Sequence, residues 1–205
     1  MIVHPRIYLA SQSPRRRELL KQIGVNFEVL LLRSDPRRRI DVNEDPLPDE
    51  TAEAYVQRLS TEKAQAGCDS LAFRNLPPFP VLAADTTVSL DGKIFGKPCD
   101  REEAVDILRQ LSGKTHQVLT AVSVALQGQI ETRISTTTVD FVELSDERIR
   151  RYALTNEAHD KAGAYGIQGY AGSFVRRIEG SYSGVVGLPL AETVELLTMF
   201  GYPVR

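Results

Sequence analysis

An α/β fold is what this sequence predicts, and three observations carry the expectation. Short apolar runs of strand character alternate with stretches of helical period. Two strand-like runs end in turn dipeptides, Asp91-Gly92 and Gln127-Gly128. Helix starts are marked by Ser13-Pro14, Asp100 and Ser145.

In chain order, Ile7 to Ala10 reads as a short buried strand. Ser13 is a favoured N-cap and Pro14 suits the first helical position; Leu19, Leu20 and Ile23 form the apolar stripe and Gly24 terminates it. From Arg33 to Glu50 the chain is polar, carries three prolines and has no period, so a long surface loop is expected. A second helix is predicted over about 51–66, with Ala52, Tyr55, Val56 and Leu59 on one face.

The run VLAADTTVSL (81–90) predicts a strand that turns at Asp91-Gly92 and returns through KIFGKP. Asp100 caps the next helix with Glu103 three residues on, Ile107, Leu108 and Leu111 make its stripe, and Gly113 stops it. Two long strands over 116–126 and 130–142 follow, joined at Gln127-Gly128, and then a helix from Ser145 to about Ala153. A glycine-dense loop, KAGAYGIQGYAG, precedes a hairpin expected around Glu179-Gly180 and a last helix over about 190–200. No internal repeat and no separating linker appears, so one domain over 1–205 is expected.

The chain has 205 residues, 42% hydrophobic and 25% charged, the balance of an ordinary soluble globular protein. A formal net charge of −2 gives no global positive field to gather nucleic acid or a membrane surface. An anionic ligand must then be held by local cations or a metal. Two cysteines, Cys68 and Cys99, make no disulfide framework, and free thiols in a reducing cytoplasm are the expectation. The N-terminal apolar run is too short for a signal peptide, and no stretch approaches the ~18 apolar residues of a membrane helix.

The first place for chemistry is SQSPRRR (11–17). A helix N-terminus offers unpaired N–H groups and partial positive charge, and ordinary helices put acidic residues there. This helix puts Arg15, Arg16 and Arg17 there instead, an arrangement that an anion such as phosphate would neutralise through paired guanidinium contacts. A solvated basic turn, or ion pairs with the acidic loop, would give the same sequence. A nucleic-acid patch built with Arg37, Arg38 and Arg39 lacks aromatic interleaving and net basic charge.

Asp85 is the second candidate, because strand alternation cannot keep a carboxylate in the middle of an apolar run in water. It either meets a cation, a metal or donors, or it ends the strand and caps a turn through Thr86 and Thr87. Lys63 continues the core-facing stripe of its helix, and Lys97 returns beside Asp85 after the hairpin; each alone reads more often as a snorkelling or surface lysine. Glu44 and Asp85 would supply oxygen ligands for a hard cation, although a loop carboxylate such as Glu44 ordinarily sits in water. Gln168 lies in the glycine-dense loop, whose spacing matches neither a Walker loop nor a dinucleotide fingerprint. His4, His116 and His159 have no nucleophilic or metal context.

Together LASQSPRRREL, LAADTTVSLDGKIFGKP, LSGKTHQVLTAV, DKAGAYGIQGYAGSFV and SYSGVVGLPL resemble the Maf family of nucleotide pyrophosphatases over nearly the whole chain. GAYGIQG and the Arg-Arg after Ser-Pro are similar to its dTTP/UTP-hydrolysing branch. The resemblance implies a two-lobed α/β domain on an elongated mixed sheet flanked by helices, with the active-site cleft between the lobes. It implies a divalent cation (Mg²⁺ or Mn²⁺), a cytoplasmic homodimer, and a nucleoside triphosphate as partner rather than nucleic acid or membrane. Asp85 matches the family's catalytic base; Arg15, Thr86 and Gln168 match positions tied to base selection; Ser11, Arg16, Glu44, Lys63 and Lys97 match other residues of the cleft. The loop over 33–48 is longer and richer in arginine than in shorter members, which bears on where Glu44 lies. An association of Maf-like proteins with septum formation leaves a nucleotide-binding regulator of division as an alternative. A purine-directed enzyme similar to inosine triphosphate pyrophosphatase is another.

Overall fold

Strand alternation and helical period account for most of the elements in the computed structural model, which describes residues 4–33 and 41–204. In order they are β1 (Ile7–Leu9), α1 (Pro14–Gln22), β2 (Phe27–Val29), α2 (Ala52–Phe73), β3 (Val81–Leu90) and β4 (Lys93–Phe95). Then come α3 (Arg101–Leu111), β5 (Thr115–Leu126), β6 (Gln129–Phe141) and α4 (Asp146–Ala153). Two short 3-10 turns lead into β7 (Val175–Glu179), α5 (Tyr182–Val186) and α6 (Leu190–Met199). The expected reading of Arg37, Arg38 and Arg39 falls outside the described residues.

Both predicted turn dipeptides are right for a physical reason. Asp91 and Gly92 have φ of 52° and 81°, and Gln127 and Gly128 have 50° and 86°, the double positive φ that suits strand twist in a two-residue hairpin. Two caps form as expected, Asp100 and Ser145, and Thr51 adds a third that was not foreseen; each accepts the N–H three residues on.

Four expectations needed correction. Ser13 stands at the N-cap of α1 but makes no side-chain cap; its own N–H goes to Ser11 Oγ at 3.2 Å. Helix α2 runs to Phe73 rather than stopping near Ala66, because Gly67 is helical and used for close packing: a Cβ there would meet Val81 Cγ1 at 2.6 Å. Strand β2 was not foreseen, since its burial pattern is only partial and it forms by pairing with β1. No hairpin forms at Glu179-Gly180: the chain turns there into α5, whose N-cap Ser181 accepts the Gly184 N–H at 3.0 Å.

The seven strands form one mixed sheet in the order β2-β1-β3-β5-β6-β7, with β4 paired to β3 off this path. Strands β1 and β2, and β1 and β3, are parallel, whereas the long β3, β5 and β6 pair antiparallel. The core divides along this ribbon into two lobes. At one end Leu82, Ala84, Val122 and Val124 pack under Leu20, Leu196 and Leu197, while Val81 and Ala83 on the other face pack against Ala64 and Leu71 of α2. At the far end Val88, Val118, Val139 and Phe141 meet α3, α4, Tyr165 and Phe174.

His116 is the one titratable histidine of that far core. It is 2% exposed, with Nε2 2.8 Å from Tyr165 Oη and Nδ1 without a partner among the described residues, and burial pushes its pKa down to about 4 against a weaker pull from Asp140. Between pH 6.5 and 4 the unfolded chain binds a proton that the folded one refuses, so stability falls as pH falls through that window. The loss is expected to be on the order of 3 kcal/mol. Urea melts at pH 7 and 4.5 check it: His116→Phe should lose much less stability on acidification than wild type, and equal losses would refute the assignment.

Candidate active site

Alternation along β3 sorts its functional side chains before anything else acts. Positions 81, 83 and 85 face α2, and positions 82, 84 and 86 face the side covered by α1, α5 and α6. Strand β1 pairs with β3 only at Val81 and Leu82, and β4 takes over at Val88. Between those registers the β3 edge has no strand partner, and Asp85 and Thr86 lie in that gap. A crevice beyond the end of β1 is where open α/β sheets place ligands. Here it is a cleft of about 1010 Å³, lined by the start of α1, the segment around Glu44, Lys63, Lys97 and the 157–169 loop.

On the α2 face two carboxylates converge on one ammonium. Lys63 Nζ lies 2.7 Å from Asp85 Oδ1 and 2.6 Å from Glu44 Oε1. Asp85 is 8% exposed, so the expectation that it needs a partner is met, and the strand runs on five residues past it rather than ending there. Glu44 is half-exposed, and it is not the solvated loop carboxylate that its sequence context suggests. Burial raises its pKa, but Lys63, then Lys97 and Arg16, hold it below the ordinary carboxylate value. Lys97 is exposed at the cleft wall.

On the opposite face Arg16 turns inward from the first turn of α1. Its Nε donates to Gly187 O at 2.8 Å, Nη1 to Ser11 Oγ at 3.2 Å and Nη2 to Thr86 Oγ1 at 3.3 Å. Desolvation lowers its pKa, with Asp85 opposing. The hydroxyl chain beyond it has a fixed direction. Thr120 Oγ1 donates to Gly184 O at 2.8 Å, so its 2.9 Å contact with Thr86 must be accepted, and Thr86 spends its only proton there. Thr86 therefore turns only lone pairs toward Arg16. Three of the five guanidinium N–H groups are used, which leaves one on each terminal nitrogen for an oxyanion.

Arg15 pairs with Asp160 at 3.2 Å across the cleft mouth, and with no acidic residue of the 41–50 segment. The first turn of α1 has no acidic residue and no side-chain cap, so its partial positive charge is open to the cleft. Gln168 lies exposed at the lip. Its backbone neighbours are pinned, Gly166 N to Tyr152 Oη at 3.2 Å and Tyr170 N to Glu157 Oε2 at 3.1 Å, while its amide has no hydrogen-bond partner among the described residues. The glycines around it serve packing: Gly163 has φ 71° with Val88 Cγ2 2.6 Å from where a Cβ would sit, and a Cβ on Gly172 would meet Ile167 O at 2.7 Å.

The arrangement thus puts cations on both faces of an unpaired strand edge, around a buried carboxylate. That suits a polyanion held for attack by a water at Asp85. Two hard oxygen donors, Glu44 and Asp85, fit a cation that completes its shell with water and ligand oxygens. Among the described residues no group of three or more His, Cys, Asp or Glu could hold a metal alone. Sequence reasoning missed Lys161, Asp160 and Glu157 in the cleft wall and Gly187 behind Arg16. Asp160 and Lys161 open the glycine-dense block, and that position was the available signal. Cys68 and Cys99 are both free. No helix among the described residues is long and apolar enough to cross a membrane.

A family profile described as Maf-like protein matches residues 6–200. A protein of Aromatoleum aromaticum named dTTP/UTP pyrophosphatase is 54% identical over 202 residues, 98% of each chain. One of the same name from Nitrosomonas europaea is 54% identical over 97% of this chain and 96% of its own. Another from Dechloromonas aromatica is 51% identical over 96% and 98%. Among solved structures, the Staphylococcus aureus Ham1 protein aligns with 69% of this chain and 72% of its own, at 20% identity and a TM-score of 0.44.

Proposed function

The chain belongs to the Maf family, and we propose that it hydrolyses dTTP and UTP to the nucleoside monophosphate and pyrophosphate. The observation that carries this reading is the meeting of the Glu44–Lys63–Asp85 group and the half-buried Arg16 across one unpaired stretch of β3. The whole chain acts as one catalytic domain, since both lobes supply the cleft wall.

Asp85 orients a water and takes its proton as the water attacks the α-phosphorus. Pyrophosphate leaves with the charge of the triphosphate held by Arg15, Arg16, Lys63 and Lys97. Ser11 and Thr86 hold Arg16 by accepting from its terminal nitrogens. Glu44 and Asp85 would hold a divalent cation, Mg²⁺ or Mn²⁺, which when bound offsets phosphate charge. Gln168 offers one donor and one acceptor, the pattern of the uracil or thymine imide edge, with Arg15 and Thr86 beside it in base selection. Modified pyrimidine triphosphates share that edge, which makes clearing them from the nucleotide pool the cellular role this reading favours. A cytoplasmic homodimer, which the family resemblance supports, completes the proposal.

The test is turnover of a panel of nucleoside triphosphates in oxygen-18 water. Label is expected in the monophosphate, with dTTP and UTP far ahead of CTP and GTP. Label in pyrophosphate would mean attack at the β-phosphorus. Equal rates on CTP would end the specificity claim, and binding without turnover would leave a regulator.

A further inference from the structure

Glu44 sits in a segment that has no reason of its own to be where it is. Residues Asn43 to Asp49 are exposed and lack regular structure, and Leu47 is 52% exposed, so apolar burial does not anchor them. Polar contacts from one face of α2 do. Tyr55 Oη donates to Glu44 O at 2.8 Å, and Arg58 donates to Asn43 O at 3.4 Å and Asp45 O at 3.1 Å. Three consecutive carbonyls are therefore held by residues one helical turn apart, and Lys63 takes the Glu44 carboxylate from the same helix.

Arg58 is itself fixed. Its Nε and Nη2 grip Glu50 Oε1 and Oε2 at 2.7 and 2.8 Å, a two-pronged pair. Glu50 also accepts the Leu47 N–H at 3.0 Å, and its side chain is only 7% exposed. The Arg58 guanidinium and that backbone donor hold the Glu50 carboxyl down at about 2. The clasp is thus ionised wherever the enzyme would work.

We propose that Arg58, locked by Glu50, is a positioning residue that carries Glu44 to Lys63 and Asp85. The proposal rests on the reading of Glu44 as a cation-holding group of the site. Arg58 touches neither of the two carboxylates in the Glu44–Lys63–Asp85 group; it acts through the backbone of residues 43–45 and through Tyr55, whose ring its guanidinium covers at 5.7 Å to the centroid. Its neighbours Val56 and Leu59 carry the apolar packing of α2, so Arg58→Met removes the clasp and not the core, although it leaves the Glu50 carboxylate with only the Leu47 N–H.

The experiment compares Arg58→Met, Glu44→Gln and the double variant with wild type, reading kcat, KM for dTTP, the half-activating Mn²⁺ concentration and the melting temperature. Free Mn²⁺ is followed by electron paramagnetic resonance with a non-hydrolysable α,β-imido dTTP, so cation binding is read without turnover. Arg58→Met should weaken Mn²⁺ binding and lower kcat/KM by about 10- to 100-fold, as loss of an orienting partner does. The double variant should be no worse than Glu44→Gln. Arg58→Lys, which reaches Glu50 but cannot fork, should recover part of the loss. If Glu44→Gln binds Mn²⁺ and turns over like wild type, the reading of Glu44 fails and takes the proposal with it. If Glu44→Gln is impaired while Arg58→Met is not, or if the two losses multiply, positioning alone is overturned. A fall in melting temperature with unchanged Mn²⁺ binding would make Arg58 merely structural.

Discussion

Asp85→Asn is expected to fold like wild type and to lose about 100- to 10,000-fold in kcat, the range of a positioned general base. Asparagine keeps the volume at an 8%-exposed position in β3 and keeps an oxygen for the Lys63 ammonium, now 2.7 Å from Oδ1. It cannot accept the proton of an attacking water, and it brings no charge to a cation shared with Glu44. Circular dichroism and a thermal melt establish the fold, and steady-state kinetics on dTTP establish the loss. A variant with unchanged melting temperature and kcat within about tenfold of wild type would remove Asp85 from the chemistry.

Arg16→Lys carries the second large effect, about 100- to 1000-fold in kcat/KM for dTTP, comparable to losing one preorganised donor to a developing oxyanion. The charge is kept, so a purely electrostatic role predicts a small loss. The geometry predicts a large one. An ammonium has three donors, and satisfying Gly187 O, Ser11 and Thr86 would exhaust them, with nothing left for phosphate. The same fork makes a stability cost visible, because a lysine that fails to reach Gly187 leaves a buried carbonyl unpaired. Kinetics within about fivefold of wild type would show that Arg16 acts as a point charge and that its bonds to Gly187, Ser11 and Thr86 are incidental to binding.

Some of this site was readable in advance because local chemistry forces it. A carboxylate amid Ala83, Ala84 and Val88 must find a partner, and a lysine seven residues after Val56 on a helix must face the same way as the core stripe. The three arginines at the start of α1 contradict the helix dipole, a conflict that points to function rather than stability. The rest was not local. Strand β2 exists because β1 offers an edge, and α2 extends past Gly67 because Val81 leaves room only for a glycine. The turn at Gly180 leads to α5 because Ser181 finds Gly184, which a dipeptide rule for hairpins does not weigh.

By itself the sequence determined the α/β class, the two hairpins with paired positive φ, the caps of α3 and α4, and the burial of Asp85. Each depends on contacts within a few residues, or on a period that repeats along one element. Tertiary structure decided where the cleft opens and what enters it. Alternation places Asp85 and Thr86 on opposite faces in any fold. Only the sheet order puts α2 over one face and α1 with α5 over the other, and only the registers of β1 and β4 leave the strand edge between them bare. Glu44 shows the same division most sharply. Nothing near it in the chain holds it, and its place is set by Tyr55, Arg58 and Lys63, which lie 11 to 19 residues away and are aligned only once α2 is folded and docked.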